Sequence, residues 1–374
     1  MSPTAAILGI HEASTEELLG WDGRTVVRRR GHVYQSRAWA AHLARSGWRP
    51  RFLVFEDGFG VLSLERSWPL VGGGSSYLMR GPIPADDDPA VTAARLAAVT
   101  AELARGGVDV VASDAEVPAG TGYPALLAAR GFAPIEEIQP SRHRMSVPLG
   151  EGVDDAAAFA GIARQTRQRI RGAERDGVAV VGHDVLEPEV PGILRPSEPA
   201  GVALDRFYDL LLATGDRRGF AFGPRREFVP WWVDAHADAL LVYLEARVED
   251  EPLAGLVLYR HGGRLSTVHS ADRVETRRRH PGALHLLRWR AIQLAIAEGC
   301  EEMDLGGVDV AGARRPPVEG EPMYGLYQHK LSFGATWVEL SGAHERVVDP
   351  IGYRVGRVAA AARRVTRRIL GRQT

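Results

Sequence analysis

The sequence predicts an α/β protein of the α+β kind, with mixed sheets and two related lobes, and three observations carry that prediction. The chain has 374 residues, against about 100–200 for an average domain. Helical and strand-like segments follow an order that recurs, with different residues, after Ser146. Two local echoes join the halves: helix, glycine, strand, aspartate occurs in ARGGVDVVASDAEV and again in AEGCEEMDLGGVD, while ARGFAPIEE is matched by SFGATWVEL. The expected boundaries are a first lobe over 1–146, a second over 147–345 and a basic helix over 346–374.

In the first lobe, SRAWAAHLARS at 36–46 reads as a helix, and RFLVFEDG and GVLSLERS as strands joined by a turn. The glycine-rich VGGGSSYLMRGPI leads to a long helix over 89–105, then strand VDVVASD, helix YPALLAARG and strand FAPIEEI. An extended run from Ser141 opens the connection to the second lobe. There Asp154 or Asp155 is an N-cap, and the helix after it carries arginines at 164, 167, 171 and 175, one continuous cationic face. That face is either solvated or a contact for nucleic-acid or sugar-linked phosphate.

The second lobe continues with helices at 206–214 and 227–237 and strands LLVYLEARVED, LAGLVLYRHGG and 265–269. A helix over 282–297 runs into strand CEEMDLGG, followed by a loop, GLYQHKLSFG and the strand TWVELSG. The C-terminal IGYRVGRVAAAARRVTRRILGRQT has seven arginines and no acids, with Ile351, Val355, Val358, Ala362, Val365 and Ile369 on one helical stripe. It suits packing on the body or lying on an anionic membrane surface.

Composition narrows the chemistry. A single cysteine, Cys300, excludes an intramolecular disulfide framework and a multi-cysteine zinc site. The histidines form neither HExxH nor a close ligand set, and the GxSxG and Walker A patterns are absent. No basic region leads into an apolar stretch at the N-terminus, and no apolar run approaches the ~18 residues of a membrane span, so a cytoplasmic location is expected. The net charge is −1, yet among 46 Lys and Arg residues the only lysine is Lys330. In a chain that takes arginine for generic positive charge, one retained lysine points to a compact ammonium placed against one oxygen.

Candidate chemistry concentrates in 299–340. A strand ends in Asp304, Gly306 and Gly307 open the backbone to close approach, and Lys330 follows. EEMDLGGVD followed by GLYQHKLSFGA resembles the paired C-terminal motifs of the Fem (FemABX) family of aminoacyltransferases, built from two lobes of the GCN5-related N-acetyltransferase (GNAT) fold. TGDRRGF at 214–220, RQRIRGAERDGVAVV at 167–181, YQSRAWAAHLARSGW at 34–48 and YLMRGPI at 77–83 resemble that family's other segments, in the same order.

The resemblance implies two tandem GNAT-like lobes and transfer of an amino acid from aminoacyl-tRNA to an amine of a lipid-linked or UDP-linked peptidoglycan precursor. No metal or redox cofactor belongs to that chemistry; aminoacyl-tRNA is the co-substrate. It implies that Lys330 faces the developing oxyanion or the terminal ribose, that Arg217 binds precursor phosphates, and that Asp114 orients the amine. Tyr324, Tyr327 and His329 would line the cleft beside Asp304, Gly306 and Gly307. His329 stands where the family has phenylalanine, and no long coiled-coil arm is present. The protein would work as a monomer or paired with a homologue, in peripheral contact with the inner membrane face. Two other readings remain open at this point: an acyl-CoA-dependent N-acyltransferase of the same fold, for which no RxxGxG/A sequence is found, and a non-catalytic nucleic-acid-binding or scaffold protein.

Overall fold

A computed structural model describes residues 9–85, 88–218, 222–249, 251–273 and 278–370. In chain order the strands are β1 (Ile10–Glu12), β2 (Arg49–Phe55), β3 (Gly60–Ser67), β4 (Gly74–Leu78), β5 (Val110–Ser113), β6 (Ala133–Pro134), β7 (Arg144–Pro148), β8 (Ala179–His183), β9 (Ile193–Leu194), β10 (Leu241–Val248), β11 (Glu251–His261), β12 (Arg264–Asp272), β13 (Glu302–Asp304), β14 (Thr336–Val338) and β15 (His344–Val347). The α-helices are α1 (Thr15–Leu19), α2 (Arg37–Arg45), α3 (Pro89–Arg105), α4 (Tyr123–Ala128), α5 (Asp155–Gly161), α6 (Arg164–Arg175), α7 (Ala200–Arg218), α8 (Arg225–Ala237), α9 (Ala283–Ala297), α10 (Tyr324–Leu331) and α11 (Pro350–Leu370).

Two mixed sheets result, ordered β1-β2-β3-β4-β5-β15-β6 and β14-β7-β13-β12-β11-β10-β8-β9. Their pairings repeat. In the first, β1 to β4 are antiparallel neighbours, β4 and β5 are parallel, and β15 lies antiparallel between β5 and β6. In the second, β8, β10, β11 and β12 are antiparallel, β12 and β13 are parallel, and β7 lies antiparallel between β13 and β14. Two tandem GNAT-like sheets of one design therefore make up the chain.

The strand that completes each sheet comes from the far side of the sequence. After β6 the chain enters the second sheet as β7, and after β14 it returns to the first as β15. The compact units are accordingly Met1–Arg142 with Glu339–Thr374, and His143–Val338. This corrects the expected limits of 1–146, 147–345 and 346–374: residues 143–146 join the second unit, and 339–374 join the first. An alternating strand announces its buried face in sequence but not its partner, which is why the exchange was not read.

In the first unit α3 starts at Asp88, whose carboxylate accepts from the Ala90 and Val91 N–H groups, relieving two of the helix's unpaired donors. Its Leu96, Val99 and Leu103 pack with Leu53, Val61 and Val111 of the sheet. In the second unit α9 is apolar on nearly every side. Leu286, Leu287, Ile292 and Leu294 join one core with Leu244, Leu256, Leu258 and Met303, each buried side chain contributing about 1.5–3 kcal/mol relative to exposure. That depth of burial fixes α9 against the sheet, and with it the polar residues it carries.

Candidate functional site

The parallel pair of the second unit is short. β12 runs from Arg264 to Asp272, yet it pairs with β13 only from Arg264↔Glu302 to Ser266↔Asp304. Beyond Ser266, among the described residues, that edge of β12 has no strand beside it. On its other side Thr267 pairs Leu258 and His269 pairs Val257, leaving Val268 as the extra residue of a bulge that re-aims the strand. The freed stretch opens onto a cavity of about 1190 Å³ lined by Val268, His269, Ser270 and Asp272 of β12. Ligands of open α/β sheets bind at this carboxyl end of a parallel strand.

The other walls are helical. α9 and the turn before it supply His280, Pro281, Ala283, Leu284, His285 and Arg288; α6 supplies Arg169; α10 and its approach supply Pro322, Met323, Gly325, Leu326 and His329; Leu211 and Phe222 complete the lining. Two guanidiniums and four imidazoles thus share a mostly apolar cavity with a single carboxylate. Arg288 is buried in the middle of a largely apolar helix, a placement that arginine rarely takes without a polar task.

His269, His285 and His329 are held neutral. Burial lowers His285 to about 4, helped by the charges of Arg169 and Arg288, and its Nε2 lies 3.3 Å from Arg169 Nη1. His329 packs edge-on to His285 with ring centroids 4.9 Å apart. Burial lowers it to about 2, with Arg288 the next cause. His269, enclosed by Phe222, Phe228 and Trp232, falls to about 4 through desolvation. The wall therefore offers neutral imidazoles, with the positive charge resting on the arginines.

Lys330 sits behind this wall. It is 3% exposed, and its Nζ donates to the carbonyl oxygens of Gly306 at 2.8 Å and Gly307 at 3.1 Å. Burial lowers its pKa to about 7, the charge of Arg288 adds to that, and Asp304 and Asp309 oppose it. Gly306 needs to be glycine: φ is +80°, and a Cβ would lie 3.3 Å from the Thr267 carbonyl and 3.6 Å from Lys330 Nζ. Asp304 completes the turn, its Oδ1 accepting the Gly306 N–H at 2.7 Å and its Oδ2 the Ser266 hydroxyl at 3.3 Å. A compact ammonium with rotatable donors suits two adjacent carbonyls in so enclosed a place better than a larger, planar guanidinium would.

Of the expected site residues, Asp304, Gly306, Gly307, His329 and Lys330 come together. Only His329 among them lines the cavity. Lys330 turns its ammonium to the backbone carbonyls of Gly306 and Gly307 and is not part of the cavity lining. Tyr324 and Tyr327 are half-buried and outside the lining; Tyr327 packs on the core and edge-on to Trp337, with centroids 6.3 Å apart. The Arg217 side chain lies outside the described residues.

Asp114 belongs to the first unit, where it leaves β5. It is 2% exposed and accepts from the Tyr77 hydroxyl at 2.8 Å and the Arg80 backbone N–H at 2.6 Å. The Arg80 Nε stands 3.6 Å away. Burial raises the pKa of this carboxyl, and Arg80 counters it. It is part of a buried polar network with Tyr77 and Arg80.

Residues 164–315 match an acetyltransferase (GNAT) domain model, a span that contains β8 to β13 and both helices bearing the cavity arginines. A crystal structure of FemX superposes with a TM-score of 0.74 at 17% identity, covering 93% of this chain and 99% of that one. The fold is that of a FemX-like tandem GNAT protein. A conserved protein of unknown function from Bacteroides thetaiotaomicron gives 0.55 at 11% identity, covering 90% and 98% of the two chains. The structure of L-PGS from Bacillus licheniformis gives 0.50 at 13%, covering 94% and 98%. No curated protein matches the sequence. Among the described residues, no helix is long and apolar enough to cross a membrane.

Sequence reasoning missed Arg169, Asp272, His285 and Arg288. A partial signal for two of them was present: ALHLLRWRAIQLAIA is a mostly apolar helix whose few polar residues are His285, Arg288, Arg290 and Gln293.

Proposed function

We propose that the protein is an N-acyltransferase working in the cavity of its second unit, with an aminoacyl-tRNA as donor and an amine of a peptidoglycan precursor as acceptor. The observation that carries this reading is the cavity where β12 parts from β13, most of whose lining lies within the span that matches an acetyltransferase domain. The ester of an aminoacyl-tRNA is already activated. The protein's work is then to orient donor and amine and to stabilise the charge that forms as a neutral amine attacks. Arg169 and Arg288 would meet the anionic end of the donor, and the neutral histidines would supply hydrogen bonds without adding charge.

One feature favours tRNA over acyl-CoA. An acyl-CoA pyrophosphate needs consecutive free backbone N–H groups ahead of the helix after β12. In this chain Pro281 has no N–H, and the Ala283 N–H is donated to the His280 carbonyl at 3.1 Å. Lys330 is assigned a positioning role, keeping the Gly306–Gly307 backbone in place beside the parting strands. Asp114 is assigned to the stability of the first unit.

The test is incubation of purified protein with labelled aminoacyl-tRNAs and UDP-linked or lipid-linked precursors, with acetyl-CoA in a parallel arm. The expected product is heavier by one aminoacyl residue and appears as the tRNA is deacylated. Acetylated product with the tRNA left intact would overturn the donor assignment.

A further inference from the structure

The aliphatic stripe of α11, which its sequence suits either to the body or to an anionic membrane surface, is not the face turned inward: Gly352, Tyr353 and Gly356 are the residues turned to the first unit. Gly356 lies against the indole of Trp68 so closely that a Cβ would stand 2.3 Å from Trp68 Cδ2. At Gly352 a Cβ would be 2.7 Å from Asp109 Oδ1. The start is fixed as well, since Asp349 Oδ1 accepts from the Ile351 and Gly352 N–H groups at 2.9 and 3.1 Å.

The opposite face is left outside. Ile351, Val355 and Val358, spaced four and three apart, are 76%, 47% and 71% exposed, and Arg354 and Arg357 beside them are also exposed. The sequence of this segment holds seven arginines and no acid. Aliphatic side chains aligned in water are unfavourable, and a row of arginines beside them attracts anionic partners and repels cationic ones.

We infer that this outward face of α11 is a docking surface for an anionic lipid membrane, lying in the plane of the headgroups. The arginines complement lipid phosphates, and the aliphatic row enters the boundary between headgroup and acyl chain. RNA would satisfy the arginines but has no place for the aliphatic row, so the paired features favour lipid. The inference stands apart from the acyl-transfer reading, because no residue of the cavity takes part in it.

The experiment is flotation of the full chain with vesicles of phosphatidylglycerol mixed with phosphatidylcholine, and with vesicles of phosphatidylcholine alone. Binding is expected only to the first, with affinity falling about fivefold for each arginine removed in Arg354→Gln and Arg357→Gln. Val355→Ser with Val358→Ser should weaken binding at unchanged charge, and because both valines are exposed the thermal unfolding of that variant should not move; Arg357 packs over the Tyr353 ring and donates to its hydroxyl at 3.3 Å, so the arginine variants are compared at temperatures well below their own thermal midpoints. Equal binding to both vesicle types, or no loss in either variant pair, would overturn the proposal. So would binding of an RNA homopolymer that depends on Arg354 and Arg357 while vesicles fail to bind.

Discussion

In the first unit Asp114, leaving β5, is closed in by the Tyr77 hydroxyl and by Arg80. In the second, the strand equivalent to β4 runs on past its parallel partner, and the polar residues beyond that point face a cavity of about 1190 Å³. The sheets share one pattern of pairing, so topology alone does not make a site. The difference is that β12 pairs β13 over three residues of its nine, whereas β4 pairs β5 over four of its five. A duplicated fold can thus keep a closed copy and an open one.

Breaking the closed copy should show the largest effect. Asp114→Asn removes the carboxylate from a buried pair and should cost about 3–5 kcal/mol, read as a lower denaturation midpoint of the first unit. An unchanged midpoint would mean that the carboxylate is held for chemistry. In the open copy, Arg288→Met should raise the donor KM roughly 10–100-fold through loss of charge-assisted hydrogen bonds, with a smaller change in kcat. It should also raise the pKa of Lys330 and His329, because the charge of Arg288 lowers both. Gly306→Ala places a side chain at φ +80° and should cost about 1–2 kcal/mol, measured by denaturation together with turnover.

The pH dependence sharpens the contrast further. Lys330 has its pKa lowered from 10.5 to about 7 by burial, so between those values the unfolded chain binds more protons than the folded one. Its contribution to stability is full above about 10.5 and is lost as pH falls to about 7. Lys330→Met should abolish that slope, which pH-dependent denaturation of the two proteins would show. His329, lowered from 6.5 to about 2, contributes likewise above 6.5 and loses that contribution as pH falls toward 2. His329→Phe should therefore unfold at lower pH than the parent chain, whereas an unchanged acid midpoint would mean that the ring already carries its proton when folded.

Much of this arrangement was legible. The helix over 89–105 and the strand over 60–67 appear where periodicity put them, and the Asp304–Gly306–Gly307–Lys330 cluster is assembled as its motifs suggested. The lone lysine did mark a special position, though its oxygens are backbone carbonyls. β4 was hidden in a glycine-rich run, and β7 and β15 were hidden because strand partnership is decided by the finished sheet. On α11 the aliphatic stripe was read correctly from spacing, but the body takes the glycine face because only glycine lets the helix meet Trp68. Arg169 reaches the cavity from a residue off the 164, 167, 171 and 175 row, which helical spacing alone cannot foretell.

The most direct test of the open copy is to fill it. Ser270 pairs with β11 but lies on the part of β12 that β13 does not reach, and it lines the cavity, so Ser270→Trp would occupy the space a donor needs. Single-turnover transfer from aminoacyl-tRNA should fall by at least about tenfold, the equivalent of ~1.4 kcal/mol in the barrier, with the denaturation midpoint held. Transfer at the parental rate by a folded Ser270→Trp protein would show that the reaction takes place elsewhere in the chain.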